Sequence, residues 1–176
     1  MSLRGRHIRT ISAAPMARFL LVTTGGTHFA LPADRVQGLL TREEAGSAGP
    51  VSLQSVIYPA IDLAGRLDLA PDTEGPDTRT VLLSHGTAKG NIRVAEVHGL
   101  KELEQSHVLP LPRHFQGEER TWYGGMLLFE ESIALVLNPA WLLQGWGTGQ
   151  AVAGTDQRGK SALLLPVRQA LAGRQV

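Results

Sequence analysis

The chain contains no cysteine. That excludes a disulfide framework, thiolate metal sites, iron–sulfur clusters and a cysteine nucleophile. No apolar run approaches the ~20 residues that a membrane-spanning helix needs. Neither sign of charge is in excess: the formal net charge is +1, so nothing in the balance calls for nucleic acid. The many serines include no G-x-S-x-G elbow. The six histidines, at 7, 28, 85, 98, 107 and 114, fall in no ligand spacing of the H-E-x-x-H kind. The paired carboxylates Glu43-Glu44, Glu118-Glu119 and Glu130-Glu131 lie in loops or at a hairpin tip, and nothing in the sequence places them in the cleft that catalytic carboxylates need. These absences together predict a non-enzyme with no catalytic residue, no metal ligand and no cofactor.

What is present is ordinary for a soluble globular protein: 43% apolar and 19% charged residues over 176 positions. The length suits one domain with a core of its own. Residues 1–18 carry Arg4, Arg6, Arg9 and Arg18 and no acid. This composition fits either a targeting segment or a basic tail. No apolar block precedes Met16 at the ~7–15 residues of a secretory h-region, so a tail over 1–17 is the preferred reading.

Short apolar, β-leaning runs then follow one another. Residues 19–24 and 28–31 flank Gly25-Gly26 and read as a hairpin that Pro32 closes. Residues 33–35 can make one helical turn before an extended stretch over 36–41. Residues 43–50 and 71–78 are loops rich in Gly, Ser, Pro and acid. Residues 51–54 alternate as a half-buried strand, Pro59 marks a break, and Asp62 can cap a short helical turn. Strand signals return at 80–84 and 91–97 around a turn at 86–90. Residues 99–106 are polar and ambiguous, and 108–112 are extended. Residues 126–130 and 133–137 form a second hairpin. Asn138 and Pro139 open a helical turn that carries Trp141. Trp122 and Trp141 read as core or semi-core, and Trp146 stays open between core and interface anchor.

Eight or nine short strands at regular spacing, with no strand–helix alternation, predict an all-β sandwich or barrel. Residues 144–158 read as a linker. Beyond them lies an apolar cluster at Leu163, Leu164, Leu165, Val167, Ala170 and Leu171. Between the two, residues 154–161 match the P-loop pattern G-x-x-x-x-G-K-[ST]. The physics of that site needs a strand before the loop and a helix after it. The preceding residues make a poor strand and Pro166 interrupts any helix, so the match reads as coincidence.

Six segments in order resemble a CheW-like domain, the coupling module of bacterial chemosensory arrays, over residues 18–143. They are FLLV at 19–22 with GGTHFALPADRV at 25–36; VIYPAIDL at 56–63; GRL at 65–67; NIRVAEVHG at 91–99; VLPLP at 108–112; and ALVLNPAWLL at 134–143. The resemblance implies two small five-stranded β-barrels packed on each other, with residues 144–176 as linker and tail. It implies a cytoplasmic adaptor, at membrane-bound receptor arrays, without catalysis or cofactor. Its partners would be a chemoreceptor signalling hairpin, the regulatory domain of a CheA-like histidine kinase and other CheW-like domains. Nucleic acid and membrane insertion have no part in it. The contact residues so implied are Val36 and Leu39 after the first turn, and Gln54, Ser55 and Val56.

The sequence departs from the family at that second place. The family's G-V-I-N-L-R-G-R stretch aligns with GPVSLQSV at 49–56, which puts Gln54 on its arginine and Ser55 on its glycine. Gln lacks the charged donor fork of Arg, and Ser takes positive φ less readily than Gly. An altered receptor or kinase contact follows. Ala95 likewise replaces an aspartate. Two other readings compete with the adaptor: an assembly subunit that docks through its C-terminal tail, and a nucleotide binder that uses residues 154–161.

Overall fold

The computed structural model describes residues 14–145. The P-loop-like stretch, Trp146 and the apolar C-terminal cluster lie outside the described residues, as do residues 1–13. Among the described residues the chain forms β1 (Met16–Thr24), β2 (Thr27–Pro32), β3 (Val36–Thr41), α1 (Arg42–Ala45), β4 (Val51–Leu53), β5 (Val56–Tyr58) and β6 (Ala60–Ile61). There follow α2 (Leu63–Arg66), β7 (Arg79–His85), β8 (Ala88–Val94), β9 (Glu96–Glu104), α3 (Glu119–Trp122), β10 (Tyr123–Phe129), β11 (Ser132–Leu137) and α4 (Pro139–Leu142).

The strands make a five-stranded sheet in the order β10-β11-β2-β1-β9, a four-stranded sheet β3-β7-β8-β6, and a separate two-stranded β4-β5 ribbon. The hairpins expected at Gly25-Gly26 and before residue 133 are β1-β2 and β10-β11. Asp62 caps α2 by accepting from the Gly65 N–H at 2.9 Å. Asn138 caps α4 by accepting from the Ala140 N–H at 3.1 Å. Residues 43–50, expected as a loop, begin with α1. There the Thr41 hydroxyl accepts from the Glu44 N–H, and the Glu44 carboxylate accepts from the Thr41 N–H at 2.8 Å. That capping box, led by the Thr41 backbone donor, holds the Glu44 carboxyl below its ordinary pKa.

Alternation along the strands of the five-stranded sheet divides the apolar side chains into two cores. One face carries Leu20, Val22, Phe29 and Leu31, which pack against Val81, Leu83, Ile92 and Val94 of the four-stranded sheet. Leu63, Leu142 and Leu143 close the ends of this layer. The other face carries Phe19, Leu21, Ala30, Leu103, Leu127, Ala134 and Val136, around which the sheet curls. Each fully buried Leu or Phe here contributes about 1.5–3 kcal/mol. A third, smaller core joins Val51 and Tyr58 of the ribbon to Leu82. Buried Asn91 fastens the ribbon to the sheet, because its side-chain amide donates to the carbonyls of Tyr58 at 2.7 Å and Gly49 at 3.1 Å.

The expectation of two five-stranded barrels is corrected by this topology. No sheet closes. β9 and β10 are the two outer strands of the five-stranded sheet and share no ladder. Side chains alone cross between them: Lys101 donates to the Leu128 carbonyl at 2.8 Å, and the His98 ring packs on Phe129. The second half is split as well. Pro59, which cannot donate to a ladder, separates β5 from β6, and the Asp62 cap ends β6 after two residues. The architecture is one of mainly-β sheets packed together, with single helical turns at their ends. Trp122 and Trp141 are half-buried and stack at 5.3 Å between centroids, and the Arg66 guanidinium lies 4.8 Å over Trp141. Burial pushes the neighbouring Tyr123 phenol above its ordinary pKa, with a smaller push from Glu119.

Candidate partner-binding groove and turn

Two β-bulges build a groove between the sheets. In β3, Val36 pairs with Leu83 and Gly38 with Leu82, which leaves Gln37 as an extra residue. Positions 36 and 39 of an unbroken strand would face opposite ways. The bulge resets the alternation, and Val36 and Leu39 line the same cavity. β9 repeats the device. Val22 pairs with Val97 and Leu21 with Gly99, so His98 is extra and Val97 and Leu100 come onto one side.

The result is a groove of about 540 Å³ walled by Val36 and Leu39 on one side and Val97 and Leu100 on the other, with Leu20 and Arg18 also lining it. Leu39 is 44% exposed and Leu100 68%. Contiguous exposed apolar side chains of this kind make the groove a candidate interaction surface. The sequence reading named Val36 and Leu39 as contact candidates and did not name Val97 and Leu100, which line the same groove. The available signal was Gly99 inside a strand-like stretch, the usual mark of a bulge.

The bulged residue of β9 turns away from the groove. The His98 Nε2 lies 2.6 Å from the Thr23 Oγ1, which also contacts the His28 Nδ1 at 2.9 Å. Phe129 packs 5.0 Å from the His98 ring. Among the described residues no group of three or more His, Asp or Glu side chains is placed to hold a metal ion.

Gln54 and Ser55 form the two-residue turn of the β4-β5 ribbon, where Leu53 pairs with Val56. Both have positive φ, 49° and 66°. This is the left-handed pair that a tight hairpin needs to match strand twist. It costs a side-chain-bearing residue about 1–2 kcal/mol. Both residues are exposed, whereas Val56 is half-buried against the core of Val51, Tyr58 and Leu82 and fixes the turn from below. Ile57, 64% exposed beside Ser52, adds an outward apolar side chain that the sequence reading did not single out. The structure thus brings Val36 and Leu39 together in the groove and Gln54 and Ser55 together on the turn. The groove does not take in the turn.

Sheets that offer an apolar groove and a shaped, exposed turn define a protein-docking domain. Its particular kind follows from comparison with known proteins. Residues 18–145 match the family described as the CheW-like domain, and the chain belongs to that family. The family is non-catalytic and serves as a scaffold or adaptor in chemotactic signalling. The fold is similar to the crystal structure of the scaffolding protein TtCheW from Thermoanaerobacter tengcongensis, at a TM-score of 0.62 and 15% identity over 76% of this chain and 97% of that one. No curated protein matches the chain. Among the described residues no helix is long and apolar enough to cross a membrane.

Proposed function

We propose that this domain couples a chemoreceptor signalling hairpin to a CheA-like histidine kinase in the bacterial cytoplasm, with a rewritten contact at the β4-β5 turn. The observation that carries the reading is the pair of bulges, which assembles Val36, Leu39, Val97 and Leu100 into one exposed apolar groove. A helix with apolar side chains at i, i+3 and i+4 fits such a groove. Gln54 and Ser55 present neutral hydrogen-bonding groups where the family pattern has a charged Arg and a Gly. A partner matched to this turn therefore offers neutral acceptors and donors in place of a carboxylate.

The test is direct binding of the protein to receptor signalling hairpins and kinase regulatory domains from its own organism. Leu39→Asp and Leu100→Asp should each weaken the bound partner by about tenfold or more, since an apolar hot spot contributes roughly 2 kcal/mol. Both side chains are exposed, so the fold should tolerate the changes. Binding that both variants leave intact removes the groove from the interface. Failure to bind any receptor, kinase or CheW-like partner sinks the coupling role itself.

A further inference from the structure

The open seam of the five-stranded sheet is a second apolar site, distinct from the groove. A cleft of about 300 Å³ runs between β9 and β10, lined by Leu103, Leu109, Leu127, Leu128 and the stem of Lys101. Leu128 is 65% exposed and Leu109 42%. β10 is partly covered, because Met126 exchanges backbone hydrogen bonds with Leu109, 2.8 Å each way. β9 has no such cover. It pairs with β1 on one side, and among the described residues no strand pairs with its other side. A nine-residue edge with an apolar cleft beside it invites an added strand.

We propose that residues 161–165 of this same chain add to the free edge of β9 and set Leu163 and Leu165 into the cleft. Three features of the chain favour this occupant over a foreign one. Leu163 and Leu165 are two positions apart, so an extended segment points both to one face. Pro166 has no N–H to give and ends the strand there. The segment is also flanked by Arg158, Lys160 and Arg168, whereas exposed Glu102 and Glu104 stand on β9 and Glu130 and Glu131 at the adjoining hairpin tip.

Reach is no obstacle. Seventeen residues separate Gly145 from Leu163, enough for about 60 Å at ~3.3–3.6 Å each. The chain leaves α4, whose Trp141 stacks on Trp122 at 5.3 Å, and from there the path along β10 from Tyr123 to Leu128 is about 17 Å at ~3.3 Å per residue. The family match ends at residue 145, so the segment is additional to the common fold and free to serve this chain alone.

The absence of cysteine makes the test clean. In the full chain, Ala162→Cys is paired either with Ser106→Cys, at the cleft, or with Thr87→Cys. Thr87 shares a cavity with Gln144 and Gly145, where the described chain ends. Docking should make the Ser106 pair close an intramolecular disulfide about tenfold faster than the Thr87 pair, by raising the local effective concentration. Leu163→Asp with Leu165→Asp should abolish that advantage and speed hydrogen exchange at the β9 amides that face away from β1. Equal closure rates at the two positions overturn the proposal, and so do disulfides formed only between molecules. An exchange pattern that the double aspartate variant leaves unchanged overturns it too.

Discussion

Two turns of this protein share one backbone and differ in every side-chain atom. Gly25 and Gly26 join β1 to β2 with φ of 57° and 71°; Gln54 and Ser55 join β4 to β5 with 49° and 66°. At the first, a Cβ on Gly25 would stand 2.6 Å from the Cβ of Leu69 and 3.2 Å from the Ala70 carbonyl oxygen. The Gly25 N–H also donates to the Asp72 carboxylate at 2.7 Å. Gly25 is packed against the loop after α2, and only glycine fits there, whereas Gly26 has open space around it. The second turn faces solvent and has no such limit. It keeps two side chains where glycine or asparagine would be more stable. The packed turn is dictated by space. The exposed one is dictated neither by space nor by local energy, and under the proposed coupling role its two side chains face the partner.

The largest expected effect breaks the packed turn. Gly25→Ala combines a positive-φ penalty with a clash against the Leu69 Cβ and should cost about 3 kcal/mol, read as a lower midpoint in chemical denaturation. An unchanged midpoint would mean that the loop after α2 yields freely. Next comes the anchor of the exposed turn. Asn91→Ala leaves the Tyr58 and Gly49 carbonyls without their donor and should cost about 2 kcal/mol. The loss should come with faster hydrogen exchange in β4 and β5, where a uniform change across the molecule would contradict the anchoring role.

Smaller still, Ser55→Gly should stabilise the protein by about 1 kcal/mol by relieving the left-handed serine. If the two turns differ because one of them recognises a partner, the same change should weaken that partner's binding. A variant that gains stability and loses no affinity would make Ser55 a neutral accident. The smallest effect is electrostatic. The Glu44 carboxyl is held below its ordinary pKa by the Thr41 N–H, so its charge stabilises the fold above the unfolded carboxyl pKa. That contribution fades as pH falls through the lowered folded value. Glu44→Gln should therefore melt slightly below the parent at neutral pH, and the two curves should converge in acid. A gap that persists in acid would assign the effect to something other than the charge.

The local elements were legible in the sequence because their signals are local. Gly25-Gly26 announces a hairpin, Asp62 and Asn138 announce helix starts, and Pro59 announces a break. β9 was harder to read. Its outer residues Glu102 and Glu104 face solvent while Lys101 and Leu103 face the cleft and the core, so its pattern lacks the apolar weight of a central strand. α1 was missed although Thr41 and Glu44 spell a capping box, because the Gly, Ser and Pro that follow mask it. The groove was half visible. A bulge reverses the parity of every later position, and no alternation rule reveals that Val36 and Leu39, or Val97 and Leu100, share a side. Barrel closure was beyond reach, since it depends on whether two distant edges, β9 and β10, meet. The family resemblance supplied the identity and misled on that one point.

The register of the five-stranded sheet also has a consequence in time. β2 lies between β1, its neighbour in sequence, and β11, which runs parallel to it with Ala134 beside His28 and Val136 beside Ala30. β1 in turn needs β9 on its other side. The first hairpin of this domain to be synthesised is thus the last to be completed, because both of its flanks are built from strands much later in the chain. Pairings of such long sequence separation are slow to form. Until residue 137 is available, Phe19, Leu21 and Ala30 have an unfinished sheet around them. Nascent chains of this protein therefore pass through a window in which their most apolar strands have free edges, and holding chaperones would bind there first.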